Sequence, residues 1–135
     1  MSVDIERLED AMRKLPQFVP VTRHYFADGM YCREVFRPAD TLITGKVHKK
    51  EHFYMVMSGT VAIVGQGQIT GPTVIVSQPG TKRVVYAVTD ATCLTVHRTA
   101  LTDLDEIEAE LVEYDGRALF DARNELKAPA IEGQS

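Results

Sequence analysis

The sequence predicts an all-β domain, a barrel or sandwich, on three observations. Short runs rich in Val, Ile, Thr, Tyr and Phe recur between about residues 17 and 99 at roughly 8–12-residue spacing. Turn-forming clusters separate them: Ala27-Asp28-Gly29, Arg37-Pro38-Ala39-Asp40, Ser58-Gly59, Gly65-Gln66-Gly67-Gln68 and Ser77-Gln78-Pro79-Gly80. No long helical periodicity interrupts the series, so the sheets are expected to be mainly antiparallel.

Helices are expected on both sides of this region. Over residues 3–15, Ile5, Leu8, Met12 and Leu15 recur at three- and four-residue spacing and form one apolar stripe, which Pro16 stops. The strand candidates then run FVPVTRHYF, MYCREVF, TLITGKV, HFYMVM, TVAIV, TVIV, RVVYAV and ATCLTVH. A second helix is expected at about 103–113, capped by Thr102 or Asp103, with Asp105 and Glu106 in the first turn where the helix dipole favours acids. Leu104, Ile107, Leu111 and Val112 would be its buried stripe, and the remaining acids a solvated face. A weaker helix over 114–128, with Leu119, Phe120 and Leu126, leads into a frayed tail. The organisation is therefore an N-terminal helix (1–16), a barrel (17–100) and a C-terminal helical extension with tail (101–135).

A chain of 135 residues holds one core, not two. With 15 Lys and Arg against 19 Asp and Glu the formal net charge is −4, which argues against a nucleic-acid partner. No apolar run approaches the roughly 18–20 residues that span a bilayer, so no membrane partner is expected. The N-terminal residues carry acids where a secretory signal needs an apolar stretch, and a cytoplasmic location is the expectation. Cys32 and Cys93 then read as free thiols that act as small buried apolar groups.

The informative stretch is residues 37–59, followed by Gln78-Pro79-Gly80-Thr81-Lys82-Arg83. His48 and His52 lie four apart, a separation of about 13 Å in extended chain, too far for ligands of a single ion. If they cooperate, the chain must bend at Lys49-Lys50-Glu51, where three charged residues suit an exposed turn. The same five residues match the His-x-x-Glu-His zinc-peptidase pattern, but that motif requires a helix and the flanking residues are strand-like.

These residues resemble the motifs of the cupin family. The first motif is Gly, five residues, His-x-His, three or four residues, Glu, six residues, Gly. Counting back from Gly59, its Glu position falls on His52, its His pair on Lys46 and His48, and its leading Gly on Asp40. In the second motif Gly80 matches, Pro79 is displaced by one, the last metal-ligand position falls on Arg83 and the Asn position on Ala87. The resemblance covers roughly residues 24–99. It implies a jelly-roll barrel and, as in many cupins, a homodimer. Cupins include isomerases, dioxygenases, lyases and decarboxylases. They also include non-catalytic binders and single-domain proteins without assigned function, some encoded by bacteriophage.

The departures from the family pattern leave three readings open. In the first, one divalent transition metal (Zn, Fe, Mn or Ni) is held by His48 and His52. Lys46 and Arg83 cannot ligate in their charged forms, so His97, Glu34, Cys32, Cys93 or water must complete the shell. His97, ending a strand, either reaches inward or sits at the rim. In the second reading no metal is bound: Arg83 and Lys46 take a small polar or acidic molecule, with Tyr54 on the same strand face as His52 and Val56. An enzyme of either kind would use His48 and His52 as general acid and base. In the third, the barrel is a scaffold or interaction protein. Parity also places Val85 and Ala87 with Arg83, leaving Val84, Tyr86 and Val88 on an outer face for a partner or the terminal helices to cover. Glu34 would point inward with Cys32 and Phe36 and pair with Arg83 or Lys46. His24 would be a surface residue without a partner.

Overall fold

Nine antiparallel strands and one helix account for the regular structure of the computed structural model, which describes residues 21–113 together with Arg7 and Ala11. Arg7 and Ala11 are helical and exposed. The rest of the helix expected over 3–15, and the weaker helix expected over 114–128, lie outside the described residues.

The strands are β1 (Val21–Ala27), β2 (Met30–Arg37), β3 (Leu42–Thr44), β4 (His52–Ser58), β5 (Thr60–Ile63), β6 (Gly67–Thr70), β7 (Thr73–Ser77), β8 (Val84–Ala87) and β9 (Ala91–Arg98). They form a five-stranded sheet in the order β1-β2-β9-β4-β7 and a four-stranded sheet in the order β3-β8-β5-β6. The β1–β2 hairpin turns at Asp28-Gly29, both at positive φ (38° and 77°), the geometry that matches the twist of the flanking strands. The expected turn at 65–68 is shorter than the sequence suggested. Gly65 and Gly67 supply the positive φ, and the chain re-enters the sheet at Gly67 as β6, paired with β5 from Thr60↔Thr70 to Ile63↔Gly67.

Inward side chains from both sheets make the main core: Tyr54 and Val56 from β4, Val61 and Ile63 from β5, Val85 from β8, and Ala91 and Cys93 from β9, with Ile69 and Ile75 packed against them. Gly59 joins β4 to β5 at φ +81°, and a Cβ there would sit 2.0 Å from the Asp90 carbonyl oxygen, so only glycine lets the two backbones approach.

The helix α1 (Leu104–Leu111) is capped by Asp103, whose carboxylate accepts from the Glu106 N–H at 3.0 Å. Ile107 and Leu111 pack with Tyr31 of β2 in a second apolar cluster. The end of this helix is tied to the chain just before β4. The Lys49 N–H donates to the Leu111 carbonyl at 2.7 Å, the Lys49 ammonium to Ala109 at 2.9 Å, and the Glu113 N–H to Val47 at 2.8 Å. His48 and Val112 form an isolated antiparallel bridge. The last carbonyls of a helix lack intrahelical partners, and here a lysine and its backbone supply them.

Two expectations about β2 and β1 are corrected. Tyr31, Arg33, Val35 and Arg37 face the interior, while Cys32, Glu34 and Phe36 face outward. Glu34 accordingly accepts from the Tyr25 hydroxyl at 3.0 Å and lies 3.9 Å from Arg23, away from Arg83 and Lys46. His24 is half-buried, its Nδ1 2.7 Å from the Tyr31 hydroxyl, because it shares the inward face with its β2 neighbours. The sheet's outer face is largely apolar, with Val21, Met30, Phe36, Phe53, Val74 and Val76 exposed. Among the described residues no helix is long and apolar enough to cross a membrane.

Candidate metal centre

Three histidines meet at one end of the barrel. His52 opens β4 and His97 lies near the end of β9, both inward, 5% and 3% exposed. His48 precedes them on the segment held by the helix end, and its own carbonyl accepts from the Gly80 N–H at 2.9 Å. The chain does bend at Lys49-Lys50, as the spacing of the two histidines required. Ring centroids are 4.3 Å apart for His48–His52, 4.2 Å for His52–His97 and 4.9 Å for His48–His97. One ligand nitrogen from each lies within 4.8 Å of the others. Nitrogens bound at about 2.1 Å around a tetrahedral ion are roughly 3.4 Å apart, so the widest of these separations would need to close by about 1.4 Å.

The tautomer of one histidine is fixed by its surroundings. His52 Nδ1 is 3.0 Å from the Lys50 carbonyl oxygen, which only a ring N–H can satisfy, so the lone pair is on Nε2. That Nε2 is buried and has no hydrogen-bond partner. His48 Nδ1 and His97 Nε2 face each other at 3.0 Å, one donating to the other. Burial, reinforced by the neighbouring imidazoles, lowers the pKa of His48 and of His97 to about 3. Burial and the Arg83 charge also lower that of His52, against the opposing effect of its bond to Lys50. At neutral pH the cluster is three uncharged imidazoles, the form that ligates.

Cations and hydroxyls surround the histidines. The Arg83 guanidinium carbon stands 4.4 Å from the centroid of the Tyr54 ring. Tyr54 is two residues beyond His52 on the same inward face, and burial raises its pKa. Ser77, directly across β7 from His52, is 1% exposed and its Oγ has no partner. Arg33 approaches from β2 closely enough that its charge helps hold both His48 and His97 neutral.

Of the residues singled out from sequence, His48, His52 and His97 converge on one point, with Tyr54 and Arg83 on the adjoining wall. Lys46 forms an ion pair with Glu108 of α1. Sequence reasoning missed Arg33 and Ser77. The signal for Arg33 was present in the alternation Tyr31, Arg33, Val35, but the opposite face of that strand was equally apolar. Ser77 has a signal only once the β4–β7 register is known.

No protein-family model matches the sequence, and no curated protein does. Solved structures do match in fold. An acetylacetone dioxygenase from Acinetobacter johnsonii aligns with a TM-score of 0.51 at 9% identity over 62% of this chain and 65% of that chain. The aligned part thus spans slightly under two thirds of that enzyme. A cupin superfamily protein from Desulfitobacterium hafniense gives 0.52 at 7% identity, over 63% of this chain and 82% of that one. An RmlC-like cupin with a double-stranded β-helix fold from Methanocaldococcus jannaschii gives 0.50 at 7%, over 59% and 80%. Two antiparallel sheets closed face to face around inward histidines define a jelly-roll barrel. Its form is that of the cupin structures just named, and this chain shares their fold at 7% identity.

Proposed function

We propose that the chain is a metal-binding cupin: His48, His52 and His97 hold one divalent transition ion at the barrel mouth and leave positions open for a small polar molecule. The observation that carries this reading is the convergence of three ring nitrogens within 4.8 Å, with His52 Nε2 buried and unpartnered. A buried lone pair without a donor is costly, and an ion is one way to satisfy it. Three neutral imidazoles suit Zn, Fe, Mn or Ni without selecting among them. A bound ion would supply Lewis acidity toward a ligand oxygen or a water. Arg83 and Tyr54 would orient that ligand, and the apolar core below them would keep bulk water out. General acid–base work by His48 and His52 belongs to the metal-free form, since ligation commits their lone pairs.

Elemental analysis of the purified protein tests the reading. Close to one equivalent of a transition metal is expected, retained by the His24→Ala variant and lost from His48→Ala and His52→Ala. Less than about a tenth of an equivalent, with no uptake after metal addition, would overturn it. A second reading, a metal-free binder of small acids, is favoured by Arg83, whose buried Nε has no partner although its charged face rests on Tyr54. That reading expects an acid-induced rise in melting temperature that survives exhaustive chelation and disappears in Arg83→Ala.

A further inference from the structure

We infer that α1 is a metal-responsive strap: an ion among the histidines and the docking of this helix stabilise each other, so that filling the site orders α1 and emptying it loosens the helix. This rests on the metal reading and adds a regulation of that same site.

The helix is weak by itself. It has eight residues, below the roughly 12–15 that an isolated helix needs. Four of them are acids, Asp105, Glu106, Glu108 and Glu110, and its last turn holds no base. Glu106 and Glu110, four apart, repel each other, and Glu110 lies toward the negative end of the helix dipole. Glu110 Oε1 is moreover buried without a hydrogen-bond partner, a desolvation that release of the helix would relieve. Against these stand Ile107 and Leu111, buried with Tyr31, and the contacts made by residues 46–49.

Those contacts reach all three histidines. His48 bridges Val112 and lies between Val47, whose carbonyl accepts from Glu113, and Lys49, which holds the carbonyls of Leu111 and Ala109. His52 donates to the carbonyl of Lys50, one residue beyond that lysine. His97 stands beside Tyr31 across the β2–β9 pairing, and Tyr31 packs with Ile107 and Leu111.

Adjustment to an ion falls on His48. His52 and His97 adjoin on β4 and β9, whose register starts at Phe53↔Val96, so the sheet holds that pair. His48 belongs to no strand of either sheet. Drawing its ring toward the other two moves the segment to which the helix end is bonded. An ion therefore fixes the seat of α1, and a released helix leaves His48 without its tether. Such coupling is reciprocal.

Hydrogen–deuterium exchange of the full chain, with Co²⁺ as the probe, tests this. Amides of residues 104–113 are expected to exchange at least about tenfold more slowly in the Co²⁺-loaded protein, and those of β5 and β6 to change less than about twofold. The reciprocal arm combines Asp103→Ala, which removes the cap, with Ala109→Gly on the exposed face; neither touches a histidine, and the residue-109 carbonyl stays available to Lys49. Co²⁺ affinity should fall at least about threefold in this pair and less, in the same direction, in Ala109→Gly alone. Ala62→Gly weakens β5, in the other sheet, and should leave Co²⁺ affinity unchanged. Unaltered exchange of α1 in the Co²⁺-loaded protein would overturn the inference. Equal slowing in β5 and β6 would also overturn it, because any ligand stabilises a whole fold in that way. Unchanged Co²⁺ affinity in the double variant would do the same. Each of these results leaves the metal reading standing, whereas absence of Co²⁺ uptake by the native chain would overturn that reading and this inference with it.

Discussion

The two faces of the five-stranded sheet depart from simple alternation, because the inner face mixes charged and polar groups into its apolar core while the outer face is largely apolar. Its inner face carries Arg33, Arg37, His52, Tyr54, Ser77 and His97, whereas its outer face exposes Val21, Met30, Phe36, Phe53, Val74 and Val76. A barrel that served only as a packed core would show the reverse alternation. The inner face splits again along its length. Val56, Ala91 and Cys93 close the apolar floor with Val61, Ile63 and Val85, where Arg37 lies opposite Ala91. His52, Ser77 and His97 gather at the other end, where His48 and the helix meet the rim. Apolar packing is thus concentrated in the floor and the three histidines at the mouth. Polar residues inside a barrel are expensive, and the meeting of three histidines at one end makes that end the candidate site.

Substitutions on opposite faces test this division most directly. Val56→Asp places a carboxylate at a position with 0% exposure and should cost more than about 4 kcal/mol, enough to unfold the domain. Val76→Asp on the outer face should cost less than about 0.5 kcal/mol by urea denaturation if that face is bare. A loss of about 2 kcal/mol or more at Val76 would mean that another element covers the face, as the apolar surface invites.

Acid should expose the buried histidines. In the folded, metal-free protein the pKa values of His48 and His97 are held near 3, below the unfolded value of 6.5. The unfolded chain therefore binds more protons between these limits. Stability from the neutral pair is fully present above about pH 6.5 and falls as the pH drops toward about 3. With two protons taken up on unfolding, the slope approaches roughly 2.7 kcal/mol per pH unit in mid-range. Denaturation midpoints at pH 7, 5.5 and 4 measure it, and a flat profile would show that the imidazoles reach water.

Smaller effects are expected from ion pairs. Lys46→Met leaves Glu108 without its half-buried partner and should cost about 1 kcal/mol in stability. Because Lys46 holds the helix against the segment carrying His48, metal affinity should weaken as well. Arg23→Gln removes an exposed, long ion pair with Glu34 and should change stability by less than about 0.5 kcal/mol.

Much of the barrel was legible in the sequence because its strands alternate and its turns carry the residues turns require. Asp28-Gly29 and Ser58-Gly59 punctuated the chain where the structure turns it. The strand β6 was hidden because its first residue, Gly67, also belongs to the turn pattern. The spacing of His48 and His52 showed that the chain must bend between them. Their meeting with His97, forty-five positions further on, depended on sheet order, which local pattern does not encode. On β2 parity established which residues travel together but not which set faces in, since Tyr31 and Val35 are as apolar as Cys32 and Phe36. Arg33 was consequently missed, and Glu34 was assigned to the wrong side.

The attachment of α1 to residues 46–49 bears on what counts as the smallest working unit. The nine strands end at Arg98, and a fragment cut there would retain both sheets and the apolar floor. It would lose the carbonyls of Ala109 and Leu111 that grip Lys49, the bridge from Val112 to His48, and the partner of Lys46. Two of the three histidines would remain on strands and the third would hang from an untethered loop. A barrel transplanted or minimised without this helix would lose the contacts that hold His48 in place, so the helix and the residues up to Glu113 must travel with the strands.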